Sequence, residues 1–240
     1  MRKLGIIGAM EVEVSILKAE LEKSGNVKQS ENGSLVFYEG KLNGVDVVIV
    51  KSGVGKVNAA LCAQRLILQY GADMIINSGI AGAMGKDLKV LDMVASTDAV
   101  YHDMDASTWG YKITQIPQMK VWEFAADKTL IDAALKAFSE TPFAKEHKII
   151  AGRIASGDQF VADSALKAKI IENCAPACVE MEGAAIAHAC YLSKVPFLIL
   201  RCLSDNADDS GETTYSFNEK TAAEASASVV LGIIKILSGK

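Results

Sequence analysis

Carboxylate side chains follow three apolar runs of this sequence, at the points where buried strands would end. Glu13 comes shortly after the opening run, and Glu180 and Glu182 follow a second one. Asp205 ends the most apolar run of the chain, which begins at Pro196. Carboxyl groups are costly in apolar surroundings unless they are hydrogen-bonded or functional. These positions therefore predict a site at which acids bind a polar ligand or transfer protons.

The segment Glu180-Met181-Glu182 suits the recognition of a sugar. A carboxylate accepts two hydrogen bonds side by side, which matches the neighbouring hydroxyls of a ribose. Methionine is an adaptable apolar side chain that could form a wall against the sugar ring. The alternative is that these acids cap the helix that begins at Gly183, and for Glu182 the two interpretations carry equal weight.

Asp205 and Glu13 are the candidates for proton transfer. At the mouth of an apolar strand, desolvation can raise the pKa of an aspartate, and an acid that stays protonated at neutral pH can donate its proton. Asp205 could instead cap the following loop, although Asp208 is better placed for that. Glu11 is better explained as an acid that complements the dipole of the first helix, whereas the residues alone leave the role of Glu13 open.

Two glycine-rich segments also follow apolar runs, Ser52–Lys56 and Gly79–Gly82. Neither has the spacing of a phosphate-binding or dinucleotide-binding loop. Their small residues could let the backbone come close to a ligand. A plain tight turn explains each segment equally well.

Apolar runs and helical patterns alternate from end to end, with one antiparallel hairpin signalled by Asn43-Gly44. This alternation predicts an α/β fold with one domain over residues 1–240, a three-layer α/β/α sandwich with a mixed, mostly parallel sheet. In such sheets ligands bind where strands end and helices begin, which is where the acids lie. The predicted strands are 3–7, 35–39, 45–50, 73–77, 90–100, 147–156, 177–179 and 196–203, and the predicted helices are 11–23, 56–70, 127–139, 164–173, 183–192 and 218–237.

Composition excludes several classes of protein. The formal net charge of −4, spread along the chain, gives no basic footprint for nucleic acid. No apolar run is long enough to span a membrane and no signal segment is recognisable, so we expect a cytoplasmic protein. The five cysteines are an odd number without a paired pattern, which is typical of free thiols in a reducing compartment. Their spacing does not suit zinc, and we expect no metal.

The segments after the apolar runs, taken together and in order, resemble bacterial 5′-methylthioadenosine/S-adenosylhomocysteine nucleosidases. The resemblance extends from the first residue to the last helix, and it implies a nucleoside phosphorylase-like fold. It also implies hydrolysis of the N-glycosidic bond of the two nucleosides, with release of adenine. The matching segments are GIIGAMEVEV at 5–14, KSGVGKVNAA at 51–60, INSGIAG at 76–82, YHDMD at 101–105, SGDQF at 156–160, VEMEGAAIAH at 179–188 and RCLSDNAD at 201–208.

The resemblance assigns a role to each residue of the site. Glu13 resembles the glutamate that activates the attacking water, and Asp205 resembles the general acid that protonates adenine at N7. Glu182 would bind the ribose 2′- and 3′-hydroxyls. The remaining assignments are Met181 against the sugar, Phe160 stacked on adenine, the backbone of Val161 at its edge, Val54 and Phe217 in the 5′-alkylthio pocket, Ser204 and Arg201 in support of the loop that aims Asp205, and Ile80, Ala81, Gly82 and Glu180 among the other binding residues.

The resemblance further implies a homodimer, no cofactor, and a small adenine nucleoside as the binding partner. The segment around Trp109 and Tyr111 would reach into the neighbour's pocket. Two residues depart from the family pattern, because Ile80 stands where some relatives carry serine and Trp109 replaces an expected phenylalanine. Three alternatives remain: a purine nucleoside phosphorylase, which the four arginines of the chain disfavour, a hydrolase for 6-amino-6-deoxyfutalosine or 5′-deoxyadenosine, and a non-catalytic nucleoside-binding protein.

Overall fold

The computed structural model describes residues 3–209 and 211–239, apart from the side chains of residues 211–213. Within these residues the chain forms ten strands and six α-helices. The strands are β1 (Lys3–Gly8), β2 (Lys28–Asn32), β3 (Leu35–Leu42), β4 (Val45–Lys51), β5 (Met74–Ala83), β6 (Met93–Tyr101), β7 (Phe124–Ala125), β8 (Ile149–Ser156), β9 (Cys178–Glu180) and β10 (Phe197–Asp205). The helices are α1 (Glu11–Lys23), α2 (Lys56–Tyr70), α3 (Lys128–Ser139), α4 (Ser164–Cys174), α5 (Gly183–Ser193) and α6 (Gly211–Leu237).

The ten strands form one mixed sheet, which closes partly on itself. The strand order is β10-β6-β8-β9-β5-β1-β4-β3-β2, and β10 also pairs with β5. Five strands therefore form a closed ring of β5, β10, β6, β8 and β9. The long strand β5 makes this possible, because it pairs with β1 through Asn77 and with β9 from Gly82 onward. The ring is open to a ligand at the end where β5 leaves β1.

Helices cover both faces of the sheet. On one face α1, α3 and α6 pack together over buried aliphatic side chains such as Leu17 and Ile233. On the other face α2 and α5 pack against each other and bury Leu66 and Ile186. The three-layer arrangement predicted from the sequence is confirmed. None of the helices in the described ranges is long and apolar enough to cross a membrane.

Several predicted boundaries are wrong, and each error has a physical cause. β2 has the polar sequence KQSEN, and it becomes a strand only because it pairs with β3 at the edge of the sheet. β5 runs on to Ala83, so that Gly79–Gly82 lie inside a buried strand rather than in a turn. Helix α6 begins at Gly211 instead of residue 218. Antiparallel pairs are also more numerous than the single predicted hairpin, although the longest central pair, β5 with β10, is parallel.

Candidate active site

A cavity of about 280 Å³ adjoins the C-terminal ends of β1, β9 and β10 and the residues Ile80–Gly82 of β5. Helices α1 and α6 and the segments that follow β4 and β8 complete its walls. The cavity is lined by Ala9, Met10, Glu13, Val54, Ile80, Ala81, Gly82, Phe160, Val179, Glu180, Met181, Glu182, Ser204, Asp205 and Tyr215. Eleven of the predicted site residues therefore line one cavity, and Val161 lines a small cavity that adjoins it.

Glu13 is buried and held by three backbone amides. It lies in the first turn of α1, where its Oε2 accepts hydrogen bonds from the amides of Ala9 at 2.6 Å and Met10 at 3.0 Å. Its Oε1 accepts a third from the amide of Ile80 at 3.1 Å. Burial raises the pKa of Glu13, while the charge of Arg201 and the three amides oppose that rise. Because Ile80 contributes its backbone, serine is not required at this position for that contact.

Glu182 ends the segment between β9 and α5, and its side chain reaches the glycine-rich loop after β4. Its Oε1 accepts a hydrogen bond of 2.8 Å from the amide of Gly55. Burial raises the pKa of Glu182 to about 7, and the charge of Glu180 adds to the effect. In its ionised form the carboxyl has further lone pairs with which it can accept hydrogen bonds from two neighbouring hydroxyls.

Arg201 is buried among the glutamates that line the cavity. Its Nη2 forms an ion pair with Glu180, donates to Asn77 Oδ1 at 2.6 Å, and lies 3.7 Å from Glu182 Oε2. These contacts lie with the glutamates and Asn77, whereas the resemblance predicts that Arg201 supports the loop of Asp205. In the β10–β5 register, Arg201 lies opposite Gly79, which directs the guanidinium towards Glu13 and Glu180.

Gly79 makes this crowded arrangement possible. A Cβ atom added to Gly79 would overlap both Nη1 of Arg201 and Oε1 of Glu13. Only a residue without a side chain lets the strand come so close to Arg201 and Glu13. The glycine noted in the sequence as room for a ligand instead provides room for two catalytic-site side chains.

Glu180 forms hydrogen bonds with neighbouring protein groups beside Arg201, so it is not free to bind a ligand. Its carboxylate accepts hydrogen bonds from the amide of Glu182 at 3.1 Å and from the amide of Gly183 at 2.8 Å. It also accepts from the hydroxyl of Ser156, whose Oγ in turn accepts from the amide of Ala184 at 2.7 Å. Glu180 thus caps the start of α5, as the alternative interpretation of this acidic pair held, while Glu182 is left to face the cavity.

Asp205 lies in a different environment at the end of β10. Its Oδ2 accepts a hydrogen bond from Ser204 Oγ at 2.8 Å, and its Oδ1 accepts one from the amide of Ala207 at 2.7 Å. Burial raises the pKa of Asp205, and these two hydrogen bonds only partly oppose the rise. Within the described residues no arginine or lysine is ion-paired with it. Burial therefore favours the protonated form of Asp205.

The aromatic side chains at the entrance only partly match the prediction. Phe160 lines the cavity and is 51% exposed, and its ring meets the edge of Tyr215 with centroids 5.6 Å apart. Phe217, which was predicted to line the 5′-alkylthio pocket, does not line the cavity and is 87% exposed. Two residues along a helix turn a side chain by about 200°, and in α6 the inward position belongs to Tyr215. Trp109 is 77% exposed. Neither Trp109 nor Tyr111 lines the cavity of the chain to which it belongs.

Tyr215 and Met10 are site residues that the sequence did not predict. The Tyr215 hydroxyl donates to Glu219 Oε1 at 2.8 Å and lies 3.5 Å from Met10 Sδ. Tyr215 lies in the part of α6 that the helical pattern missed. Met10 belongs to the matching segment at 5–14, so the resemblance offered a signal for it.

Among the described residues, the cavity therefore presents one acid without an ion-paired cation and a second group of carboxyls that surrounds an arginine. This arrangement can protonate one part of a ligand while it orients hydroxyls and a water molecule at another. In the described parts of the chain, no group of three or more histidine, cysteine or acidic side chains is arranged to hold a metal ion.

Comparison with known proteins gives the class to which this fold and cavity belong. A family model described as the phosphorylase superfamily matches residues 3–235. The chain is also 40% identical over 235 residues to the 5′-methylthioadenosine/S-adenosylhomocysteine nucleosidase of Staphylococcus haemolyticus, an alignment that covers 98% of this chain and 100% of that protein. Within the superfamily, the chain belongs to the 5′-methylthioadenosine/S-adenosylhomocysteine nucleosidases.

Two solved structures of nucleosidases with the same description are similar to this one over almost their whole length. The enzyme of Colwellia psychrerythraea, in complex with adenine, matches with a TM-score of 0.93 and 41% identity, covering 100% of this chain and 97% of that one. The enzyme of Neisseria meningitidis, in complex with methylthio-immucillin-A, matches with a TM-score of 0.92 and 40% identity, covering 98% of this chain and 100% of that one. The predicted fold class and family are confirmed.

Proposed function

We propose that this protein hydrolyses the N-glycosidic bond of 5′-methylthioadenosine and S-adenosylhomocysteine, releasing adenine and the 5-thioribose product. The observation that carries the proposal is that Asp205 and Glu13, in opposite electrostatic surroundings, line the same cavity. Its relatives are nucleosidases for these two compounds, and one related structure contains adenine.

The first step is protonation of the leaving base. Cleavage of the C1′–N9 bond leaves negative charge on adenine and positive charge on the sugar. Asp205, with a pKa raised by burial, donates its proton to N7, so that neutral adenine leaves. Phe160 covers the base, and Ser204 holds the orientation of the acid at 2.8 Å. A proton transfer of this kind contributes about 10²–10⁴-fold in rate.

The second step is attack of water on the sugar carbon. Glu13 orients this water and takes its proton, for which its carboxyl must be ionised. The charge of Arg201 and three backbone amides favour that ionised form. Glu182 binds the ribose hydroxyls beside Met181, which fixes the sugar relative to both acids. This division between an acid and a base corresponds to that of other glycoside hydrolases.

The surroundings of the arginines favour water over phosphate as the nucleophile. Arg201 is already surrounded by Glu180, Glu182 and Asn77. Arg65 donates to the carbonyl of Asn32, and Arg153 pairs with Asp98. No other arginine lies within the described residues, so phosphate would meet carboxylates in the cavity without a free guanidinium to hold it.

The test is adenine release from methylthioadenosine in buffer with and without phosphate. We expect equal rates and a free reducing sugar as the product. Strict dependence on phosphate, with a sugar 1-phosphate as the product, would contradict the proposal. Parallel assays with S-adenosylhomocysteine, 5′-deoxyadenosine and 6-amino-6-deoxyfutalosine rank the 5′ substituents, and a preference of more than a hundredfold for the last compound would change the substrate assignment.

We also propose that the protein acts as a homodimer. Val57, Leu61 and Leu68 project from one side of α2 and are more than half exposed, and Leu192 of the adjoining helix α5 is 66% exposed. Apolar side chains grouped on packed helices support an interface. Leu61→Asp is expected to shift the sedimentation equilibrium towards monomer, and Trp109→Ala to raise KM if that side chain completes the neighbour's pocket. A wild-type protein that sediments as a monomer at micromolar concentration contradicts this proposal.

We propose a cytoplasmic location, which the state of the thiols supports. All five cysteines are free and buried, and burial raises the pKa of Cys62 to about 12, which makes the thiol unreactive. Unpaired cysteines are typical of reducing compartments. Cell fractionation with a cytoplasmic marker tests this proposal, and recovery of the protein outside the cytoplasm contradicts it.

A further inference from the structure

An ion cluster away from the reacting atoms joins three segments that build the cavity. Lys56 Nζ lies 2.5 Å from Asp103 Oδ2 and 3.6 Å from Asp158 Oδ2. The backbone takes part as well, because the amide of Lys56 donates to Asp158 Oδ1 at 2.9 Å and the amide of Asp158 donates to Asp103 Oδ2 at 3.0 Å. The three residues follow β4, β6 and β8. None of them lines the cavity.

Each end of this cluster is adjacent to a different half of the site. Gly55, next to Lys56, donates its amide to Glu182, the carboxyl that faces the ribose, at 2.8 Å. Asp158 stands two residues before Phe160, the aromatic ring that covers the base. The cluster therefore fixes the position of the ribose side of the cavity relative to the base side. Lys56 is one residue away from Gly55 on the ribose side, and Asp158 is two residues away from Phe160 on the base side.

The position of Lys56 indicates that the cluster has a purpose other than helix stability. Lys56 is the first residue of α2, where a positive charge opposes the helix dipole. Its side chain is only 26% exposed and that of Asp103 only 18% exposed. Such partly buried charges interact more strongly than pairs on the open surface. The dipole is instead satisfied by Asp158, which accepts the hydrogen bond of the Lys56 amide.

We propose that Lys56, Asp103 and Asp158 form a positioning clamp that sets the distance between the ribose-binding carboxyl and the base-binding ring, and thereby the affinity for a whole nucleoside. The proposal rests on the function proposed above for Glu182 and Phe160. A nucleoside must engage both halves at once, whereas free adenine needs only the base half. Loosening the clamp therefore weakens nucleoside binding more than adenine binding. Chemistry at the glycosidic bond is affected less, because Asp205 and Glu13 are held by other contacts.

The experiment compares Lys56→Met with wild type by measuring KM and kcat for methylthioadenosine and Ki for adenine as an inhibitor. We expect KM to rise about tenfold, with kcat within about threefold and Ki within about twofold of wild type. Lys56→Arg keeps the charge and is expected to restore most of the affinity. Lys128→Met, which breaks an exposed ion pair with Asp132 on α3, is the matched control and leaves all three constants unchanged.

The clamp is rejected if Lys56→Met leaves KM within twofold of wild type, or if Ki for adenine rises as much as KM. A loss confined to kcat also rejects it. Should Lys56→Met fail to fold, Asp158→Asn offers the same measurements at a half-exposed position, with the same expected results. Failure of the proposed function is distinguishable, because wild-type protein would then release no adenine from methylthioadenosine in phosphate-free buffer.

Discussion

The base end and the sugar end of the cavity both contain buried carboxyls, yet their surroundings differ in one decisive respect. At the sugar end, Arg201 lies among Glu13, Glu180 and Glu182. At the base end, the hydrogen-bond partners of Asp205 among the described residues are a hydroxyl and an amide. Lys167, whose charge acts weakly on Asp205, donates its hydrogen bond to the carbonyl of Asn206 at 2.5 Å.

The comparison shows how one kind of functional group, the carboxyl, can serve opposite roles within a single cavity. Burial raises the pKa of Glu13 and of Asp205 alike. A guanidinium nearby favours the ionised form of a carboxyl, and its absence leaves desolvation to favour the protonated form. The acid and the base of the proposed reaction are thus separated by the placement of one arginine.

Substitution of the isolated acid is expected to have the largest effect. Asp205→Asn removes the proton that neutralises the leaving base, and kcat/KM for methylthioadenosine should fall about 10³–10⁴-fold. The measurement is adenine release, with circular dichroism to verify folding. Asp132→Asn, at an exposed site on α3, serves as the control. A loss of less than tenfold for Asp205→Asn would remove this residue from the mechanism.

Substitution at the sugar end is expected to have the next largest effect. Glu13→Gln keeps the shape of the side chain but cannot take a proton from water, so we expect kcat to fall about 10²–10³-fold. Glu11→Gln is the matched control, two residues away and exposed beside Lys18. If the two variants behave alike, the proposed difference between the two ends of the cavity is wrong.

A methyl group at Gly79 tests the space around Arg201. Gly79→Ala forces the new Cβ against Arg201 and Glu13, which should reduce activity and lower the free energy of unfolding by about 1–3 kcal/mol. Urea unfolding gives the second quantity. The control is Gly85→Ala, whose new methyl would meet the movable end of Leu88 at 3.1 Å. Equal losses of stability in the two variants would show that the side chains of Arg201 and Glu13 tolerate the methyl group.

The smallest effect is expected for the hydroxyl beside the acid. Ser204 donates to Asp205 and so lowers the pKa of that carboxyl. In Ser204→Ala the pKa of Asp205 rises further, and the protonated form persists to higher pH. The alkaline limb of the kcat/KM profile therefore moves to higher pH, with a loss of less than about tenfold at neutral pH.

Ser228→Ala, on α6, is the control for this profile and should leave it unchanged. Its hydroxyl donates within the helix to Ala225, at 2.7 Å. An alkaline limb that moves to lower pH in Ser204→Ala would mean that the limb reports another group.

The errors of sequence interpretation fall where long-range contacts override local pattern. KQSEN has no apolar alternation, so pairing with β3 alone makes it a strand. The segment at Gly79–Gly82 has the composition of a turn, yet it is a strand because β10 pairs with it along its length. Tyr215 was missed because the first turns of α6 carry no apolar periodicity.

The sequence by itself determined the alternation of elements and the acids that follow the strands, because hydrophobic periodicity and strand ends are local properties. The resemblance of its segments also indicated the family. Only the tertiary structure decided which carboxyls share Arg201. That choice depends on the register in which β10 lies beside β5, which places Arg201 opposite Gly79 and Asp205 opposite Gly82. Register is set by the packing of the whole sheet, and no short segment of the chain contains it.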